Sequence, residues 1–131
     1  MLHHQYSSYK WIAVATLLGL IAVAMGAIAA HALADPKAIS AIEKAALYQL
    51  IHAVVLIVST LLTGTIVQWS RVFFLLGIFL FCGSIELKYL LNLDNATVVA
   101  PAGGICLMLG WVLLGVASLR QHRTQQPSRK A

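Results

Sequence analysis

Leu47-Tyr48-Gln49-Leu50-Ile51-His52-Ala53-Val54-Val55-Leu56-Ile57-Val58 sets three polar side chains at the head of an apolar run that continues to Ile66. Counted from Ala45, the run reaches the roughly 20 residues a helix needs to cross the hydrocarbon of a bilayer. On that helix Tyr48 and His52 are four residues apart and Gln49 and His52 three, so all three can share one face. Polar groups are costly in lipid, so this face is expected to look into protein.

Three further apolar segments lie outward of it, at 11–33, 72–91 and 98–119. With 60% hydrophobic and 10% charged residues, the chain falls outside soluble domains, where about a quarter of residues are charged. Transmembrane barrels are built from alternating segments of about 10 residues, a pattern absent here. The reading is therefore all-α: one integral membrane four-helix bundle with helices at about 11–33, 45–66, 72–91 and 98–119. A segment 1–10 precedes it and a basic tail 120–131 follows. Ala32-Leu33-Ala34 has the form of a signal-peptidase site, yet the run before it far exceeds the 7–15 residues of a signal h-region, so it reads as a span.

The net charge of +5 does not point to nucleic acid, because the basic residues sit where membrane topology wants them. Lys10, Arg71, Arg120, Arg123, Arg129 and Lys130 fall on one side. Lys37 and Lys44 fall on the other, beside Asp35 and Glu43. By the positive-inside rule both termini are cytoplasmic and the protein is multi-pass in the cell inner membrane. The lipid bilayer is then its main partner, with anionic headgroups under the basic tail.

Asp35-Pro36 suits an N-cap followed by proline at the first helical position, so a short interfacial helix before helix two is expected. Trp69 and Arg71 suit a cytoplasmic turn at headgroup level. Gly19 and Gly26, Gly77 and Ser84, and Gly103, Gly110 and Ala117 recur every seven residues, with Gly104 beside them. Such stripes let helix backbones approach closely. Cys82 and Cys106, both within spans, read as small apolar residues.

On this topology His31, Tyr48, Gln49, His52, Ser84 and Glu86 all fall in the outer half of the bilayer, and the inner half looks almost featureless. One polar cluster is expected there. Glu86 needs a partner, and His31, His52 and Lys88 are candidates. The cluster would fix the bundle's register or form a functional site. No ligand motif surrounds either histidine and no nucleophile motif surrounds Ser84, so no cofactor, metal or catalytic residue is assigned.

Four blocks carry a resemblance: Gly26-Ala27-Ile28-Ala29-Ala30-His31-Ala32-Leu33, Ala46-Leu47-Tyr48-Gln49-Leu50-Ile51-His52-Ala53, Gly77-Ile78-Phe79-Leu80-Phe81-Cys82-Gly83-Ser84, and Ala100-Pro101-Ala102-Gly103-Gly104 with Gly110-Trp111. Along nearly its whole length the chain resembles a family of small integral membrane proteins known as the domain of unknown function number four-two-three. The resemblance implies a multi-pass inner-membrane protein with no established activity or cofactor. The chain departs from the family at Ala29, where a glycine is usual, and at Ile85-Glu86-Leu87-Lys88, where Leu-Tyr and apolar residues usually follow. His31, Gln49 and His52 therefore carry more of the resemblance than Glu86. The function expected is a non-enzymatic structural, accessory or assembly component, with a membrane-protein partner or a homo-oligomer. The alternative is a small transporter or proton-linked carrier using the polar cluster.

Overall fold

The computed structural model describes the backbone of residues 2–124 and the side chains of residues 8–121. Within them the chain is all-helical: α1 (Leu2–Ala32), α2 (Pro36–Ser59), α3 (Thr65–Leu91) and α4 (Ala100–Thr124), with a 3₁₀ turn (Asp94–Val99) leading into α4. Four stretches of 25, 24, 27 and 28 residues in these helices are long and apolar enough to span a membrane.

The boundaries follow local chemistry. Asp35 accepts from the backbone N–H groups of Lys37 and Ala38, and Pro36 opens the helix. No breaker follows, so the short interfacial helix expected before helix two is the first part of α2 itself. At the other end α2 stops at Ser59 and does not run on to Ile66. The hydroxyls of Ser59 and Thr60 bond back to the carbonyls of Leu56 and Ile57, and Gly64 turns the chain at φ 108°. An L side chain rarely adopts that angle. Helix α3 therefore begins at Thr65, seven residues before the apolar run that marks it in the sequence. It ends at Asn92, whose left-handed φ of 55° stops the helix.

The helices form two antiparallel hairpins, α1 on α2 and α3 on α4, joined where α2 lies along α3. Their common core takes Ala15 and Leu18 from α1, Ala53 and Leu56 from α2, Phe74, Ile78 and Cys82 from α3, and Leu107 from α4. Cys82 and Cys106 are both free thiols.

The glycine stripes are used unequally. A Cβ on Gly77 would lie 2.4 Å from the Leu107 side chain, one on Gly103 2.4 Å from the Phe81 backbone nitrogen, and one on Gly110 2.6 Å from the Phe74 ring. Gly77 and Gly103 bring the backbones of α3 and α4 together, and Gly110 makes room for the Phe74 ring. Gly19 makes only an ordinary approach to Leu50, and a Cβ at Gly26 or Gly104 would meet nothing within 4 Å, so those positions do not serve helix packing. Against Gly103, α3 widens into a π-helical segment, Ile78–Gly83. Leu20, Val23, Leu61, Phe79 and Val112 are among the large apolar side chains left on the exterior. Lipid, not water, suits that surface.

Candidate functional site

The outer polar residues separate, and the predicted single cluster does not form. Gln49, 3% exposed, turns to α1 and donates to the Leu18 carbonyl at 2.9 Å. His52, 4% exposed, turns to α4, where the Trp111 indole donates to its Nε2 at 3.2 Å. An indole N–H only donates, so Nε2 is the acceptor. The ring proton then sits on Nδ1 and is donated to the Tyr48 carbonyl, 2.6 Å away. Both nitrogens of a neutral imidazole are thereby committed. Rings surround it: Phe74 at 5.5 Å, Trp111 at 6.1 Å and Tyr48 at 6.3 Å between centroids.

The other members lie apart. Ser84 donates to the Phe81 carbonyl of its own helix, and His31 is exposed at the end of α1. Glu86 points into a separate groove of about 400 Å³ between Phe79, Gly83, Leu87 and Leu91, and its Oε1 is buried with no hydrogen-bond partner. Neither histidine reaches it, and the Lys88 ammonium lies 5.6 Å over the Tyr89 ring instead. Three residues along a helix leave about 60° between Gln49 and His52, enough to aim them at different neighbours. The π segment before Ser84 resets the facing of Glu86 in the same way. Among the described residues no three His, Cys, Asp or Glu side chains converge.

The half of the bundle on the side of the chain termini, expected to be the inner half and featureless, holds the densest polar network. Arg71 is 2% exposed and its backbone sits nearly two turns into α3, so it is not an exposed turn residue as the charge pattern suggested but reaches back to the turn from within the bundle. Its Nε donates to the Ser59 hydroxyl at 2.9 Å. One terminal nitrogen donates to the carbonyls of Ser59 at 2.6 Å and Leu62 at 3.2 Å. A cation thus closes the C-terminal end of α2, where orphan carbonyls and the helix dipole both favour positive charge. Its guanidinium also stands 5.7 Å from the centre of the Trp11 ring, within cation–π range.

Around this arginine the four helices are stitched together. The Trp11 indole donates to the Gln68 side-chain oxygen at 3.2 Å, linking α1 to α3. The Ser70 hydroxyl donates to the Gly110 carbonyl at 2.8 Å, linking α3 to α4, and the Gln121 amide reaches the Thr63 carbonyl below α2. The signal that could have found this network is the breaker Thr63-Gly64-Thr65. A helix started there carries Arg71 into the membrane-spanning part. Of the cations on that side, Lys10 and Arg120 are exposed. The side chains of Arg123, Arg129 and Lys130, and hence most of the basic tail, lie outside the described residues.

No solved structure matches the chain. Among curated proteins, a UPF0382 membrane protein of Staphylococcus epidermidis is 34% identical over 116 residues, covering 84% of this chain and 95% of that one. A UPF0382 membrane protein of Haemophilus influenzae is 32% identical over 120 residues, covering 85% and 94%. The UPF0382 inner membrane protein YgdD of Escherichia coli is 32% identical over 118 residues, covering 83% and 88%. The family described as a protein of unknown function, DUF423, matches residues 25–104. That match takes in α2, α3 and the Gly103 contact, and with four apolar spans and inner-membrane relatives the chain belongs to the DUF423 family of integral membrane proteins.

Proposed function

We propose that the protein is a non-enzymatic structural or accessory component of the inner membrane, with both termini cytoplasmic, and that it acts through its apolar exterior. One observation carries this reading. Among the described residues the six buried polar side chains, Gln49, His52, Ser59, Ser70, Arg71 and Ser84, all hydrogen-bond to the protein itself, and the unpartnered Glu86 oxygen lies apart from them in its own groove. Groups spent on holding helices together are not available to a reactant. The proton-linked carrier needs His31, His52 and Glu86 on one path, and the three face different surroundings. The small-residue stripes of α3 and α4 are used within the bundle. A partner or a second copy would therefore meet the Leu- and Val-rich outer faces.

Mild-detergent extraction of the tagged native protein, with native-gel sizing and mass-spectrometric identification of copurifying chains, tests the proposal. A discrete larger assembly of constant composition supports it. A lone monomer whose His52 and Arg71 variants lose a cellular phenotype while keeping wild-type thermal stability overturns it.

A further inference from the structure

One face of α2 carries Lys37, Ser40, Lys44, Tyr48 and His52, at steps of three or four residues. The upper part of this stripe and the facing end of α3 enclose a groove of about 670 Å³, lined by Lys37, Ser40, Lys44, Tyr48, Phe81 and Tyr89. Lys37 and Lys44 stand two turns apart, about 10 Å along the helix. Neither ammonium has a carboxylate partner among the described residues, since Asp35 is turned onto the backbone of Lys37 and Ala38 and Glu43 lies outside the groove.

Tyr48 and Phe81, with ring centroids 5.4 Å apart, also line a second cavity, so the two spaces adjoin at this pair of rings. This one, about 340 Å³, lies between α2 and α4, which both flank α3 and stay apart over most of their length. Phe81, His52, Pro101, Ile105, Met108 and Trp111 line it. Gly104 also lines it and leaves space that a side chain would otherwise fill. Apart from the His52 and Trp111 nitrogens, which bond each other, and the Tyr48 hydroxyl at its mouth, the lining is apolar. Tyr48 is 47% exposed, and its hydroxyl has no partner among the described residues.

We infer that these two spaces form one site for an anionic phospholipid. The phosphate and glycerol lie against Lys37, Ser40, Lys44 and the Tyr48 hydroxyl. One acyl chain descends over Phe81 into the cleft between α2 and α4. A soluble phosphate would use only the upper groove, and a neutral lipid only the lower. The junction at Tyr48 fits a molecule that is charged at one end and apolar at the other. This inference does not depend on the accessory role.

Native mass spectrometry of the purified full chain, given phosphatidylglycerol or phosphatidylcholine in detergent, tests it. Phosphatidylglycerol should be retained in preference. Each lysine near a lipid phosphate contributes about 1 kcal/mol, so Lys37→Gln with Lys44→Gln should lower retention by roughly tenfold to thirtyfold. Lys10→Gln, at the far end of the molecule, should leave it unchanged. Gly104→Leu should fill the cleft without striking the protein and weaken retention while the thermal unfolding midpoint holds. Equal retention of phosphatidylcholine, or an unchanged Gly104→Leu, overturns the inference. So does displacement of the lipid by glycerol phosphate at matched concentration, which would make the groove an anion site alone.

Discussion

The Trp111 indole donates to Nε2 of His52 and so ties α4 to α2 across an interval that their backbones do not close. Trp111→Phe keeps a ring in place but removes the donor, leaving the Nε2 of the buried His52 unpaired. Interhelical hydrogen bonds in membranes are worth about 0.5–2 kcal/mol, so the unfolding midpoint in detergent should fall by a few degrees. His52→Leu should fall by a similar amount, and the double variant by less than the sum. Full additivity would mean that the pair does not couple the helices.

Arg71 should matter more than any other polar residue. Arg71→Met keeps the length of the side chain but removes three hydrogen bonds, at a cost of about 1–3 kcal/mol. Ser59 keeps its bonds to the Leu56 carbonyl and the Leu62 N–H, while the Leu62 carbonyl loses the arginine. Arg71→Lys offers no planar fork to span acceptors on two residues, so it should recover only part of this. Chemical unfolding in mixed micelles reads the difference. A stable Met variant would remove the arginine from the account of the fold.

Neighbouring glycines should respond in opposite ways. Gly103→Ala places a methyl 2.4 Å from the Phe81 backbone nitrogen and must part α3 from α4, costing about 1–3 kcal/mol. Gly104→Ala meets nothing within 4 Å and should be neutral or slightly stabilising, because alanine is the better helix former. Thermal melts of the two, side by side, separate close packing from general helix propensity.

At the inner turn, Gly64→Ala forces an L side chain to φ 108°, which costs about 1 kcal/mol or more. Limited proteolysis of the 60–64 loop should speed up in this variant, with no change elsewhere in the chain. Uniform acceleration would instead report a global loss of stability.

The four spans were legible because lipid demands long apolar runs, and 11–33, 45–66, 72–91 and 98–119 meet that demand whatever their neighbours do. The ends were less so. Hydropathy cannot tell Leu61, in a turn, from Leu56, in a helix, so the break at Gly64 leaves no mark in it and the charge pattern alone sets Arg71 at the surface. The same shift hid the Ser59–Arg71 contact, the densest part of the polar interior. In the outer half, helical spacing brought Tyr48, Gln49 and His52 to one side of α2. Spacing alone does not say which neighbour each will meet, and that choice, α1 for Gln49 and α4 for His52, depends on tertiary packing. The π segment, which turns Glu86 away from both histidines, has no signature in the pattern of apolar residues. Gly103 and Gly110 could be read from their stripe, whereas Gly26 and Gly104 share the composition without a helix beside them.

All of the hydrogen-bond acceptors of Arg71 lie between Ser59 and Leu62, no more than 12 residues earlier in the chain. This proximity bears on biogenesis. An arginine carried alone into the bilayer on one helix meets a barrier of several kcal/mol, but here the preceding helix brings its carbonyls in the same hairpin. The expected outcome is that α2 and α3 enter the bilayer together, since the groups that solvate the arginine lie in the same hairpin.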